Sequence, residues 1–426
     1  MNACSYQRGP EVAVTNGGDS SQRVGGGDGG PPPGRAVIVG AGIAGLAAAL
    51  RLHRAGWETL VVERAPARRR GGYMVNLVGW GYDAAEHLGL VPALSGSDLG
   101  LFSTVLVRAD GRRKFAVPPE IARAALGDRA LTVFRENLEA ALYEAVRGTA
   151  AFRFGTTAVD VAQDADGVRV GLSDGTTERA DLLVGADGLH SGVRAAVFGP
   201  EEDFRVDLDH VVGALPLDRL PEDVPEGTGT TFIGPGRTAA VVNLGPGRSS
   251  AFFAYRCADP DAELARGPVQ ALTAAFGDLG GGVPDVLRQL RADPSGTYFD
   301  SVSQVRADRW SRGRVVLLGD AAWCPSLFAG YGAALALSGA DRLGDALERH
   351  GGDVTGALAR WEAGLRPETL RRQALARRGT RQYAPSSRAH VWLNDLAIRA
   401  VLLPGVRGLV RRGIRRASER HAAADG

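Results

Sequence analysis

The chain has 426 residues, is 44% hydrophobic and carries a formal charge of only +2. That is enough apolar material for one large composite domain or two smaller ones, and so small a net charge excludes the global positive field of a nucleic-acid binder. The three cysteines, Cys4, Cys257 and Cys324, fit neither a zinc motif nor a disulfide scaffold. No apolar run reaches the roughly 20 residues of a membrane span, and no secretory pattern opens the chain, so a reducing, cytoplasmic setting is expected.

Residues 1–34 are polar and Gly-rich and end in Pro31-Pro32-Pro33-Gly34. They read as a disordered tail, because little apolar surface offsets the entropy of ordering. The first firm element is Ala36-Val37-Ile38-Val39, a β-branched run of the kind a buried parallel strand shows. Ile43 to Ala55 reads as a helix ended by Gly56, and Glu58 to Glu63 as a second strand. Ser95 to Phe115 and Gly155 to Ala180 read as short strands, with hairpin turns at Asp110-Gly111 and Asp174-Gly175. Asn137 to Val146 is helical. Between about 208 and 256, three runs read as strands of a mostly antiparallel sheet: His210 to Leu215, Ala239 to Leu244 and Ser250 to Tyr255. Residues 315–319 form another buried strand and Gly332 to Arg349 a long helix, so the elements of the first domain resume after an inserted sheet. From about 356 the chain is helical and Arg-rich, with 14 Arg against four acidic residues over 365–426.

The expected division is a tail over 1–34, a discontinuous dinucleotide-binding domain over 35–205 and 300–360, a substrate domain over 206–299 to which part of 72–118 contributes, and C-terminal helices over 361–426. Leu396 to Leu403, followed by Arg411, Arg412, Arg415 and Arg416, would suit an anionic membrane. Packing over the cofactor domain with snorkelling arginines is the preferred reading.

Gly40-Ala41-Gly42-Ile43-Ala44-Gly45 is a GxGxxG loop directly after a strand and opening a helix. Gly40 permits the tight turn, Gly42 lets the backbone approach a pyrophosphate, and Gly45 lets helix and strand pack closely. The first-turn N–H groups and the helix dipole favour an anion. Glu63, 23 residues after Gly40, is placed to accept from an adenosine ribose and disfavours a 2′-phosphate there. Asp181 to Gly188 is a second buried strand running into Asp187-Gly188, followed by Ser191 and Arg194. Arg314 to Ala322 is a third, running into Gly319-Asp320. Ligands of open α/β sheets lie beyond the carboxyl ends of the strands, so both aspartates are candidates for one crevice, although a helix N-cap would also explain either.

These three motifs, in this order and at these separations, resemble the class A flavoprotein monooxygenases, the para-hydroxybenzoate hydroxylase-like family. The chain is most similar in appearance to actinobacterial polyketide hydroxylases and tetracycline-modifying members. The resemblance implies an α/β fold, with an FAD-binding Rossmann-like domain of the glutathione reductase type, an inserted antiparallel substrate sheet and C-terminal helices. It implies that Gly40, Gly42, Ala44, Gly45, Glu63 and Arg64 hold the ADP part of FAD. Arg135 would contact the cofactor, Asp187, Gly188 and Arg194 would serve FAD and NADPH, and Gly319 and Asp320 the ribityl chain. Pro325, Gly330, Gly332 and Ala333 would pass beside the flavin ring. The chain differs from many members by having Trp323 in place of His and Tyr331 in place of Gln.

The implied activity is hydroxylation of an aromatic or polyketide-like molecule by way of a flavin C4a-hydroperoxide. It would use O2 and NADPH or NADH as a transient co-substrate, in secondary metabolism, with the chain as monomer or homodimer. Epoxidation and Baeyer–Villiger oxidation stay open, as do an FAD-dependent dehydrogenase or prenyl-chain reductase and a non-catalytic flavoprotein-like binding module. No catalytic acid or base is assigned. Trp323, Tyr331, His210, Phe232 and Phe252 are candidates for the pocket, with Tyr255 beside them, and no metal site is expected. Backbone amides from Gly330 to Ala333 could face negative charge on the reduced ring. Cys324 reads as a small buried residue of the pocket.

Overall fold

The structure, a computed structural model, describes residues 34–403 apart from 69–70, 128 and 351. The expected disordered tail and the arginines from Arg411 onward lie outside the described residues. The first sheet has six strands in the order Ser311–Arg312, Val315–Leu317, Leu182–Gly185, Arg35–Val39, Glu58–Glu63 and Ala151–Phe154. All its neighbours are parallel except the Ser311–Arg312 edge. Parallel strands buried on both faces need apolar residues at consecutive positions, and Val37, Ile38, Val61, Val62, Leu183, Val184, Val315 and Val316 are all fully buried. Helices Ile43–Arg54, Arg135–Val146 and Gly332–Arg349 pack together against this core. A small antiparallel sheet, Ala158–Gln163, Val168–Leu172 and Thr177–Ala180, adds Val168, Val170 and Leu172 to it.

The second sheet has seven strands in the order Tyr298–Val305, Arg205–Pro216, Ser250–Arg256, Arg237–Asn243, Thr228–Gly234, Ser103–Val107 and Arg113–Val117. Only the Thr228–Gly234 and Ser103–Val107 pair is parallel. A boundary at 300 therefore falls inside a strand of this sheet, because Tyr298–Val305 pairs with Arg205–Pro216. Thr228–Gly234 joins the three runs read from sequence. Residues beyond it form helices Pro260–Phe276 and Val283–Ala292, which cover one face of the sheet. The start of the first was legible: Asp259 accepts from the Ala262 N–H at 3.0 Å, and Pro260 occupies the first helical position.

The C-terminal half of the fold differs in part from the expectation. Helix Val354–Tyr383 does pack on the cofactor side, burying Ala357, Leu358, Trp361, Leu365, Thr369, Gln373 and Ala376 at helical spacing. Helix Arg388–Leu402 instead lies by the second sheet, where Lys114 pairs with Asp395 at 2.9 Å and Arg399 covers Phe115. It buries no residue and leaves Trp392, Leu393 and Leu396 exposed. Among the described residues no helix is long and apolar enough to cross a membrane.

Gly45 fixes the register of the first helix against the sheet. A Cβ there would stand 1.9 Å from the Gly40 carbonyl oxygen. Gly45→Ala is expected to cost at least about 1–3 kcal/mol by overpacking, seen as a lower melting temperature of the full chain.

Candidate cofactor and substrate site

The three strand ends meet through backbone contacts. Gly40 N–H donates to the Val62 carbonyl at 2.7 Å, Ala186 N–H to Val39 at 2.8 Å, and Leu318 N–H to Gly185 at 2.9 Å. Gly40 has φ of 107°, and a Cβ on it would lie 2.4 Å from the Ala186 oxygen. A Cβ on Gly319 (φ 66°) would lie 2.8 Å from the Ala44 Cβ. Gly42, Asp187 and Asp320 therefore belong to one locus.

Gly42 is the N-cap of its helix and supplies no side-chain cap, so the first-turn N–H groups lack side-chain acceptors. A Cβ on Gly42 would meet nothing nearer than Glu139 Oε1 at 3.7 Å and Arg135 Nη2 at 3.8 Å. This is the one glycine of the loop that faces space rather than protein, which fits a diphosphate resting on the helix N-terminus. Glu63 ends its strand with one carboxylate oxygen accepting from the Ala41 N–H and the other from the Ala65 N–H, each at 2.8 Å. It holds the loop in shape, and each oxygen keeps a lone pair for a ribose.

Arg135 opens its helix, and its Nη2 pairs with Glu139 at 2.9 Å. Burial is the largest influence and opposes its charge, but Glu139, Tyr73, Tyr298 and Asp320 together hold the guanidinium above its usual pKa. Asp320 is accessible while protein rings it. Burial raises its carboxyl above the ordinary range, with Arg135 pulling it back. A Cβ on Gly332 would be 3.8 Å from Asp320 Oδ1, which places the uncapped start of helix Gly332–Arg349 beside it. Tyr73 and Tyr298, neither singled out from sequence, complete this cluster. Their rings stand edge to face at 5.0 Å, and burial raises both phenols far above neutral pH, so they can donate a hydrogen bond but not take a proton.

Two sequence candidates serve the scaffold with their own groups. Asp187 accepts from Ser191 Oγ at 2.5 Å and from the Val193 N–H at 3.1 Å, while Ser191 caps helix Gly192–Val197. Arg194 is fully buried and donates to the carbonyls of Ala321 and Leu189, tying the second motif to the third. Gly188 (φ 83°) has open space around it.

Several pocket candidates are corrected by the packing. Trp323 is 1% exposed and sits in a cluster with Trp310 and Trp361, at 4.6 and 5.8 Å. Tyr331 is buried, with its hydroxyl donating to the Val78 carbonyl at 3.1 Å and Arg372 over its ring. Phe232 pairs with Ala239, which pairs with Phe253, so it lies with Tyr255 on the helix-covered face of the sheet. Tyr255 donates to Glu263 there. His210 turns Nδ1–H to the Leu208 carbonyl and packs edge-on to Phe328, and burial lowers its pKa, so it is neutral.

Phe252 alone of the three sheet aromatics faces the other way. With Tyr298 of the sheet it packs against Phe328 of the loop after Asp320 and Tyr383 at the end of helix Val354–Tyr383. Phe328 and Tyr383 stack at 4.6 Å, and Phe252 meets Tyr383 edge-on at 6.3 Å.

That loop is held from behind by two glutamines missed in the sequence. Gln373 donates to the carbonyls of Val305 and Trp323 at 2.7 and 2.9 Å, and Gln304 to those of Pro325 and Gln373 at 3.0 and 2.9 Å. Cys324 is buried beside them, its thiol on the Ser303 carbonyl and its pKa pushed up by burial, so it is no thiolate nucleophile.

Residues 35–352 match the FAD binding domain family. The chain belongs to the class A FAD-dependent monooxygenases. Among curated relatives, this monooxygenase is 31% identical to the 3-amino-4-hydroxybenzoate 2-monooxygenase of Streptomyces cremeus, over 81% of this chain and 86% of that one. It is 30% identical to an FAD-dependent monooxygenase of Sarocladium schorii, over 78% and 84%. Among solved structures, the tetracycline destructase Tet(51) superposes with a TM-score of 0.73 at 26% identity, over 87% of this chain and 97% of that one. HpxO of Klebsiella pneumoniae, in complex with FAD and uric acid, gives 0.72 at 25%, over 89% and 95%.

Two outcomes test the site. Gly42 has φ of −81°, which alanine accepts, and room for a methyl group. Gly42→Ala should therefore melt with the wild type yet weaken FAD binding by about tenfold or more, measured by flavin fluorescence titration. His190 follows the second motif, with Nδ1 2.9 Å from Glu201 and Nε2 3.9 Å from Asp300. Its pKa is raised, first by Asp300 and then by Glu201, against a burial effect of opposite sign. A histidine that binds its proton more tightly when folded stabilises fully below about pH 6.5, and loses that contribution as pH rises through its folded pKa. The melting-temperature gap between wild type and His190→Gln should be widest in mild acid and close in alkaline buffer.

Proposed function

We propose that this monooxygenase hydroxylates an aromatic or polyketide-like small molecule, with NADPH or NADH as the transient reductant. The observation that carries the reading is the aromatic cluster in which Phe252 and Tyr298 of the sheet meet Phe328 of the loop that follows Asp320 and Tyr383 of the long helix. Flat ring substrates gain both apolar burial and ring–ring contact from such a cluster. The relatives support the same class, since their names carry an aminohydroxybenzoate, a tetracycline and uric acid, all ring compounds.

Bound FAD supplies electron transfer and oxygen activation. The chain's own groups bind and orient. The amides after Gly42 and the Arg135 guanidinium would hold the diphosphate, and Asp320 would accept from a hydroxyl of the cofactor's sugar-alcohol chain. The uncapped N–H groups at Gly332 and Ala333 would present partial positive charge to an electron-rich ring bound there. Tyr73 and Tyr298, kept protonated, can donate to a substrate oxygen. Gln304 and Gln373 hold the loop after Asp320 in place.

Purified holoprotein should oxidise NAD(P)H faster when supplied with a phenolic substrate and should place one atom of labelled dioxygen in the product, a gain of about 16 Da. Oxidation of substrate without label would overturn the reading. Asp320→Asn removes a charged acceptor worth about 1.5–3 kcal/mol, so FAD should bind roughly ten- to hundredfold more weakly, by the same fluorescence titration.

A further inference from the structure

We propose that Glu139 is a built-in competitor for the cofactor diphosphate: it engages Arg135 at the mouth of the glycine loop and sets FAD affinity below what the loop and the arginine alone would give. The inference rests on FAD occupying the Gly40–Gly45 loop.

The geometry is local and specific. Arg135 and Glu139 are one turn apart on helix Arg135–Val146, their Nη2 and Oε1 atoms 2.9 Å apart. Both atoms look at one place, because a Cβ on Gly42 would lie 3.8 Å from the first and 3.7 Å from the second. Gly42 is where the backbone is bare, so the anion that rests there meets the arginine and the carboxylate together. The Glu139 side chain is only 15% exposed, so solvent screens it poorly.

The order of the two residues argues against a role in helix stability. A cation at the first position of a helix meets the positive end of the dipole, and the acid-first order is the favourable one for a pair four residues apart. Here the arginine comes first. An arginine so placed makes sense as a ligand for an incoming anion, together with the N-terminus of helix Ile43–Arg54. A carboxylate beside it then acts against that anion twice. It occupies guanidinium donors that the diphosphate needs, and it sets like charge near like charge.

The rival role for Glu139 is positioning, in which it holds Arg135 ready and strengthens binding. The two roles predict opposite signs. FAD affinity of the full-length protein would be measured by fluorescence titration for wild type, Glu139→Gln and Glu139→Ala. Riboflavin, which carries the ring without the diphosphate, serves as the second probe. Competition predicts FAD binding at least tenfold tighter in both variants, with riboflavin affinity unchanged. FAD binding that is unchanged or weaker in the variants overturns the proposal. Equal tightening of riboflavin overturns it too, since the effect would then not act through the diphosphate. If none of the three proteins takes up FAD, the cofactor placement itself fails, and the proposal with it.

Discussion

Three stretches of backbone, drawn from residues 40–45, 185–188 and 318–320, touch at distances that leave no room for a side chain between them. Gly40 lies against the Ala186 carbonyl, Gly45 against Gly40, and Gly319 against Ala44. The Gly40 contact closes the first strand end onto the second, the Gly319 contact sets the third against the first helix, and the Gly45 contact closes that helix onto its own turn. Because the approach is made by backbone, it fixes where the helix N-termini and the aspartates stand to within the stiffness of the sheet itself. The other parts of the site, from Arg135 to the loop behind Gln373, take their positions from that junction.

Around the junction the charges are arranged for an anionic, electron-accepting ligand rather than for the fold. Two uncapped helix starts, at Gly42 and at Tyr331, open beside Arg135 and Asp320. The second motif turns its polar groups inward: Arg194 donates through both terminal nitrogens to two carbonyls, and Asp187 serves a helix cap. The contrast separates the second motif, which stabilises the crossing of strands, from the first and third, whose polar groups face outward into the site. In the proposed function the aromatic cluster supplies the apolar half, with charge recognised on one side of the locus and shape on the other.

The sequence made the first sheet and the glycine loop legible because their signals are local: a β-branched run, glycines at fixed offsets, an acid at the end of the next strand. The aromatic cluster was legible only in part. Phe232, Phe252 and Tyr255 looked equivalent, but faces alternate along a strand, and which parity faces the site depends on pairing partners far away. Ala240 stands directly opposite Phe252, and Ala239 opposite both Phe232 and Phe253. That register sends Phe252 one way and Phe232 the other. Trp323 misled for a similar reason. Its neighbours Trp310 and Trp361 come from other elements, and together they bury the ring in the core despite its proximity to Asp320 in sequence. Gln304 and Gln373 gave no local sign, since a glutamine in a strand or a helix is ordinarily solvated and only the assembled fold buries these two. The missed helices after Asp259 did carry a readable start in the Asp-Pro pair.

The central strand of the first sheet has a bearing on how the chain is made. Arg35–Val39 is flanked by Leu182–Gly185, whose other neighbour is Val315–Leu317. The bonds at these borders span 146 and 133 residues. The Arg35–Val39 strand therefore waits with one edge unpaired until Leu182–Gly185 emerges from the ribosome, and that strand waits in turn for Val315–Leu317. Contacts of such long range close slowly. Assembly is consequently a late event in translation, and a nascent chain stopped before residue 315 keeps an open, adhesive sheet edge that chaperones would be called on to shield.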